Sequence, residues 1–588
     1  MFLATTALEE TWPQEGEVVL FGSYCLKRDQ LASKRIVRTL PDPWSSPNDR
    51  KKAYRECMDA HETLLPALAD SLNAANGTTH SLRAWRILLS PWLIRYVQSV
   101  KDRHERLRLA FDAYPGIETS VLAAADRIPP VDTHGFVIRV FEDHYNFQLA
   151  SQLIDAMGIR ARAIALSVPE PTDTFTTVNA PARLGRAKKA AFRMVELAAR
   201  ARRWPLMLNG LAIPSGNTGA LICALAPDAW ILNTSSEKDS YDLDPDTNKR
   251  NALLGGFTPR SEFERVLARS ISGELPLIFL EGFPRLSRSA AITLPKAPRV
   301  LVSTDGWTYD ELFKACAARA VDAGSRLVAI QHGGGYGQYG RIWQEDVERS
   351  VADSYWTWGW SRLDGDPKLR SVPAPSLSWI GDDAPGEGLL LVGAHQPRWR
   401  YGFQSQALAE QFDGYLSDRE SFFRALPAGL LGDCAARLSP HDMGWSQEAR
   451  LHESVPQVKI EFASGPLRER LSKAALAVFD QPGTAFLEAL AYGRPTLLFW
   501  NPEIWDERAS AKPLLDGLRR ARILHDRPES AAREAAAALK DPRAWWSRPE
   551  TRAAVAAFRE NFCLTAPDWR RRWAAMLRAE LAAAGKNA

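Results

Sequence analysis

From residue 130 to residue 380 the sequence repeats one local grammar: a short β-rich run ends in or near Gly, Asn or Ser and hands over to a helical stretch. Ala161 to Val168, Ala229 to Asn233, Leu277 to Leu280, Arg299 to Ser303 and Arg326 to Gln331 are such runs. Strands alternating with helices imply a parallel sheet whose two faces are covered. Gly386 to Gly388 reads as a linker into a second region of the same kind. Its candidate buried strands are Leu389–Val392, Ala477–Phe479 and Thr496–Phe499. The expected fold class is therefore α/β, with two Rossmann-like lobes facing a cleft. Residues 1–125 form a mostly helical N-terminal region, 126–384 the first lobe, 385–545 the second lobe and 546–588 a set of C-terminal helices.

The flanking regions follow other patterns. Val18 to Phe21 is a strand-like run ending at Gly22, and Leu40-Pro41-Asp42-Pro43-Trp44 is a turn. From Asp49 to about Phe111, Leu, Ile and Trp recur at helical spacing among charged residues. Pro91 is expected to break or kink one of these helices. Beyond Pro542 the chain is rich in Ala, Arg and Trp and helical to its end.

Composition narrows the function classes. With 588 residues, 45% of them hydrophobic, and a net charge of only +4, the chain has enough apolar material to fold as two to four domains. No apolar run approaches the roughly 20 residues that cross a bilayer, and Met1 to Gln14 lacks the basic and apolar regions of a secretory signal. Six cysteines are scattered without a CxxC pair, which fits a reducing cytoplasm rather than a disulfide framework or a zinc site. An isoelectric point near 8.6 permits an anionic ligand but is not the concentrated basic stripe of a nucleic-acid binder. Twenty Trp are a weak hint of sugar-stacking faces.

Three constellations could carry chemistry. In Phe479-Asp480-Gln481-Pro482-Gly483-Thr484, a strand ends and a turn delivers Thr484 to a helix start, with Glu488 one turn further on and Gly493 as the helix stop. A helix N-terminus at the carboxyl end of a parallel strand presents free N–H groups and a positive dipole end, which suits a phosphate; Glu488 could accept from ribose hydroxyls. An ordinary capped βαβ unit has the same spacing. In Gln331-His332-Gly333-Gly334-Gly335-Tyr336-Gly337, a buried strand runs into an imidazole and then a glycine-rich loop that lets backbone approach a ligand. His332 could be a general base for an acceptor hydroxyl or a contact to the ligand's charge, or a hydrogen-bonded histidine in a turn. In Arg437-Leu438-Ser439-Pro440-His441-Asp442, after a helix expected to end near Cys434, Arg437 and His441 could hold a phosphate or a sugar carboxylate. A polar surface turn explains them equally well.

Weaker features have plainer readings. Glu142-Asp143-His144-Tyr145-Asn146 reads as a capped helix, Asp42-Pro43-Trp44 as a loop, and Trp569-Arg570-Arg571-Arg572-Trp573 as a solvated helix face more than a membrane or nucleic-acid patch. Walker A, HExxH and GxSxG patterns do not occur.

Taken together, several runs resemble a bacterial transferase family of O-antigen and surface-polysaccharide gene regions, nearly end to end. They are Gly22-Ser23-Tyr24-Cys25-Leu26, Leu40 to Trp44, Arg83 to Leu88 with Pro91-Trp92-Leu93, Gln331 to Gly334 with Tyr336-Gly337, Trp358-Gly359-Trp360, and Thr484 with Leu487-Glu488, Leu490-Ala491, Pro495-Thr496 and Phe499 to Pro502. The 480–500 segment is also similar to the donor-binding helix of GT-B glycosyltransferases, including those using CMP-linked ulosonic acids. Those enzymes often carry a His-Pro pair near the donor; here the order is Pro440-His441. The Gln331-His332-Gly333 run resembles the base-bearing loop of CDP-glycerol-type polymerases.

The resemblance implies a cytoplasmic, metal-independent, GT-B-like glycosyltransferase without a cofactor. Its donor substrate is a nucleotide sugar, a CMP-linked sugar being one candidate. The second lobe would hold the donor at Gly483, Thr484 and Glu488 with Arg437 and His441. The first lobe would hold the acceptor, offering His332 from the loop of Gly333, Gly334 and Gly335. The implied acceptor is a surface polysaccharide such as the O-antigen of lipopolysaccharide, or a lipid-linked glycan. Peripheral contact with the inner face of the inner membrane is compatible with this, and a nucleic-acid partner is not expected. A CDP-polyol phosphotransferase of surface-polymer synthesis and a noncatalytic glycan-binding protein are the alternatives.

Overall fold

The computed structural model describes residues 1–26, 36–167, 169, 202–214, 217–234, 243–378 and 386–585. Among them lie two six-stranded parallel sheets. The first contains β6 (Leu206–Asn209), β7 (Ala229–Ile231), β8 (Val300–Ser303), β9 (Arg326–Ile330), β10 (Ser354–Thr357) and β11 (Leu369–Ser371), in the order β11-β10-β9-β8-β6-β7. The second contains β12 (Glu387–Val392), β13 (Cys434–Leu438), β14 (Lys459–Phe462), β15 (Ala474–Phe479), β16 (Thr496–Phe499) and β17 (Leu524–His525), in the order β14-β13-β12-β15-β16-β17. Their inner strands, such as Val300–Ser303 and Thr496–Phe499, are buried at every position. Near-continuous apolar runs of this kind suit strands covered on both faces.

In chain order the second sheet reads 3-2-1-4-5-6, the dinucleotide-fold order, and the first reads 2-1-3-4-5-6. Each reverses direction at one point: between β6 and β8 in the first, between β12 and β15 in the second. The α/β architecture with two Rossmann-like lobes expected from the sequence is the one observed. The C-terminal helix Trp569–Ala584 returns to the first sheet, burying Trp569, Trp573, Leu577 and Leu581 against Val300, Val302 and Val328. Arg571 and Arg572 on its outer side pair with Asp568.

Several expectations are corrected. Leu277 to Leu280 is not a strand: Leu277–Phe279 is a buried 3-10 turn whose amides bond the carbonyls of Pro130 and Val131. A short apolar run does not by itself distinguish a strand from a buried turn. Gly386 to Gly388 is not a linker, since β12 begins at Glu387 and pairs with Ala474. The helix expected to end near Cys434 is a short 3-10 helix, Ala428–Asp433, and Arg437 lies not in the turn after it but inside β13. Pro91 does not end its helix, which runs from Leu82 to Ala113 (α2) and packs on α1 (Pro47–Asn76).

The N-terminal region carries more strand than expected. β1 (Phe2–Ala4), β2 (Val18–Leu20) and β3 (Ile36–Thr39) form a parallel sheet, and β1 bridges to Glu118 beside β4 (Ser120–Leu122), the partner of β5 (Arg162–Ile164). Ala161 to Val168 thus supplies a strand outside the two large sheets, and Val168 lies outside the described residues. No described helix is long and apolar enough to cross a membrane.

Candidate functional site

The carboxyl ends of the two large sheets meet. β15 ends at Phe479, and the turn through Pro482 and Gly483 starts the helix Thr484–Tyr492, whose first residues have no side-chain cap. This is the direction-reversal point of the second sheet, where α/β folds bind ligands. The helix starts with backbone N–H groups that have no intrahelical acceptor. Opposite stands the loop after β9. Gly334 N donates to Thr484 Oγ1 at 2.8 Å, and Tyr339 OH donates to the Pro482 carbonyl.

A Cβ on Gly334 would lie 2.4 Å from the Gly483 carbonyl carbon and oxygen and 2.6 Å from Thr484 N. Gly334 is therefore a glycine because two backbones touch there. A Cβ on Gly333 would meet only Thr484 Oγ1, at 3.4 Å, and Gly335 has φ +91° against the Tyr339 ring. In the structure the glycine run joins the lobes.

His332 is half-buried at the end of β9, its side chain 32% exposed. Its Nδ1 lies 3.5 Å from Glu348 Oε1, and Tyr336 OH is 3.1 Å from Nδ1 while also donating to Glu348 Oε1 at 3.2 Å. Tyr355 OH donates to the other Glu348 oxygen at 2.9 Å. The surrounding protein lowers the His332 pKa to about 4, against a hydrogen bond to the Thr304 backbone that raises it, so the ring is neutral at pH 7. Burial pushes the Glu348 carboxyl well above its ordinary range, and Glu345 adds to this. Gln331 works differently: its Oε1 accepts from Trp358 N and Trp360 Nε1 and so fixes the Trp358-Gly359-Trp360 run.

Beyond the Gly483 turn, Glu488 is half-buried with its pKa raised by burial, opposed by Arg468 and Arg437. Arg437 Nη2 donates to the carbonyls of Ser464 and Gly465 at 3.2 and 3.0 Å, so part of its donor set is engaged by backbone. His441 follows β13, with its amide on Ser439 Oγ at 3.2 Å. The turn is braced from behind by Asp480, which accepts from Tyr415 OH at 2.6 Å and Arg419 Nε at 2.8 Å.

Sequence reasoning missed three groups. His395 follows β12 at the reversal point, where protein packed around it, and then His441, press its pKa below the ordinary value. Its signal was present: Leu389–Val392 then Gly393-Ala394-His395 repeats the strand, glycine and histidine association of the β9 loop. Asp305, after β8 at the first sheet's reversal point, has its pKa raised to about 6 by desolvation and then by Asp310. Glu348 had no local signal, because only the fold sets it behind His332. Other singled-out residues are structural: Asp143 pairs with Arg398 at 2.7 Å, Asn146 accepts from Arg103 at 2.6 Å, and Asp42 pairs with Arg106 at 3.1 Å.

A family model described as "LIC12162 family transferase" matches residues 1–577. No curated protein matches the chain. Among solved structures, Alr3699/HepE of Anabaena in complex with UDP and glucose matches at 9% identity over 64% of this chain and 99% of that chain, with a TM-score of 0.35. The glycosyltransferase SnogD of Streptomyces nogalater matches at 17% over 65% and 100%, with a TM-score of 0.32. The wall teichoic acid polymerase TagF matches at 9% over 49% and 73%, with a TM-score of 0.28.

Proposed function

The chain belongs to the LIC12162 family of transferases, and from that premise we propose that it moves a sugar from a nucleotide-activated donor to a surface polysaccharide of O-antigen type or a lipid-linked glycan, without a metal. One observation carries this reading: the N-terminus of the Thr484–Tyr492 helix, without a side-chain cap and at the reversal point of a 3-2-1-4-5-6 sheet, lies against the loop that bears His332.

In this reading the donor's phosphate faces the free N–H groups at Thr484, with Arg437, His441 and Glu488 around the nucleotide. His332 takes the proton of the acceptor hydroxyl. That oxygen bonds to the anomeric carbon as the bond from this carbon to the phosphate oxygen breaks, and the helix end stabilises the leaving phosphate's charge. Glu348 and Tyr336 hold the imidazole in place. Closed lobes exclude water from a reaction that consists mostly of alignment. The protein would work in the cytoplasm, with any membrane contact made through the acceptor.

The test is a thermal-shift screen with UDP-, GDP-, dTDP-, CMP- and CDP-linked compounds, followed by product analysis. A ligand at about 100 times its Kd stabilises the folded protein by about 2.7 kcal/mol. One nucleotide class should stabilise the wild type, Glu488→Ala should lose that effect, and His332→Ala should keep it while losing turnover by about 100-fold or more. No stabilisation by any nucleotide would favour a noncatalytic glycan binder, and a phosphodiester product would favour polyol-phosphate transfer.

A further inference from the structure

One buried positive charge is not used by the donor reading. Arg95, on α2, is only 4% exposed and has no carboxylate within ion-pair distance among the described residues. Its Nη2 donates to Tyr309 OH at 2.6 Å, and its guanidinium carbon lies 4.2 Å from the centre of the Trp343 ring and 4.9 Å from that of Tyr309. Among the described residues, Arg95 Nε and Nη1 have no hydrogen-bond partner, and neither has the adjacent Trp343 Nε1. Other buried arginines differ: Arg103, Arg106 and Arg400 surround Asp102, and Arg419 pairs with Asp480.

The position is as informative as the missing partner. Tyr309 follows Asp305 at the reversal point of the first sheet. Tyr401, whose ionisation Arg95 favours, bonds Gln396, next to His395 at the reversal point of the second. Tyr309 also lies close enough to Tyr336, the phenol against His332, to oppose its ionisation. Through Tyr309 and Tyr401, Arg95 therefore stands near both reversal points, one side chain removed from the shell of His332. A full positive charge and three donors without partners among the described residues, Arg95 Nε, Arg95 Nη1 and Trp343 Nε1, suit an oxyanion.

We propose that Arg95 and Trp343 Nε1 form an oxyanion site for the acceptor, and hence that the acceptor carries a phosphate or carboxylate near its reacting hydroxyl. This rests on the reading of His332 as the acceptor-side base. Tyr309, 44% exposed, covers the site and moves aside to admit the anion, while Arg95 exchanges its phenol oxygen for anionic oxygen.

The experiment measures thermal shift and affinity for inorganic phosphate, glucuronate and neutral glucose on the full chain, with the nucleotides as separate arms. The variants are Arg95→Met, which keeps the length of the side chain, and Trp343→Phe, which keeps the ring but removes the N–H. Phosphate or glucuronate should stabilise the wild type and glucose should not; which of the two does so identifies the source of the oxyanion. Trp343→Phe should weaken the effect by about tenfold and Arg95→Met should abolish it, both keeping the nucleotide response. Stabilisation by phosphate that survives in Arg95→Met belongs to the Thr484 helix end and overturns the proposal while leaving the donor reading intact. Absence of any phosphate or glucuronate response in the wild type also overturns it. Should Arg95→Met fail to fold, Trp343→Phe decides: an affinity equal to wild type is the overturning result. Loss of the nucleotide response in the wild type would count against the donor reading alone.

Discussion

At the residue scale, the contact between the lobes narrows to a few atoms. Gly334 and Gly333 are neighbours of the same type, yet only Gly334 meets backbone, at 2.4 Å. Backbone on both sides cannot turn away as a side chain can. Gly334→Ala should therefore push the loop off Thr484, lowering stability by about 1–3 kcal/mol and reducing transfer. Gly333→Ala, at ordinary contact distance from a hydroxyl, should be close to neutral. Thermal denaturation and turnover of the two variants check this, and equal behaviour would show that the lobes do not close on Gly334. The four glycines at 333–335 and 337 were legible in the sequence, but what they approach was not. A glycine reports that something comes close, without saying whether it is ligand or protein.

At the scale of elements, the helix Glu262–Glu274 ends on a carboxyl sealed in the core. Glu274 accepts from Tyr145 OH, from Gln148 Nε2 at 2.9 Å and from Gln152 Nε2 at 2.7 Å, and burial raises its pKa to about 7. The folded chain thus keeps a proton that the unfolded chain releases near pH 4.5. Between pH 4.5 and 7 the unfolded state binds fewer protons, so stability falls as pH rises, by about 3 kcal/mol over the window. Glu274→Gln should remove this slope and leave the variant the more stable of the two above pH 7. Urea midpoints from pH 4.5 to pH 8 measure it, and parallel wild-type and variant curves would exclude a buried proton at Glu274. The element pattern itself was partly legible. β8, β9, β12, β15 and β16 announce themselves as apolar runs, whereas β13 and β14 carry Arg437, Lys459 and Glu461 and were not recognised.

At the scale of the molecule, one buried charge group joins the N-terminal region to the second lobe. Asp102, fully buried on α2, accepts from Trp44 Nε1 at 2.7 Å and lies 3.1 Å from Arg106 Nε, 3.2 Å from Arg103 Nη1 and 3.5 Å from Arg400 Nε. Arg106 also pairs with Glu410 at 2.9 Å, and a Cβ on Gly22 would press on Glu410 and Tyr24. The runs Gly22 to Leu26 and Leu40 to Trp44, conspicuous in the sequence, thus serve assembly. Asp102→Ala leaves three guanidinium groups without their shared carboxylate, at a cost of about 3–5 kcal/mol. It should lower the first unfolding transition and expose the junction to limited proteolysis. A wild-type-like melt would mean that the other carboxylates suffice.

The sequence by itself determined the local grammar. Apolar runs gave strands, Gly and Pro marked the turns, and Gly483-Thr484 and His332 fell at strand ends, because side-chain burial and backbone conformation are decided within a few residues. Only the tertiary structure decided what those ends face. Gly334 against Gly483, Glu348 behind His332, His395 beside His441 and Arg95 over Trp343 are meetings between segments far apart in the chain. Such meetings depend on strand order and lobe packing, and these are set by the summed burial of the whole core rather than by any local run of residues.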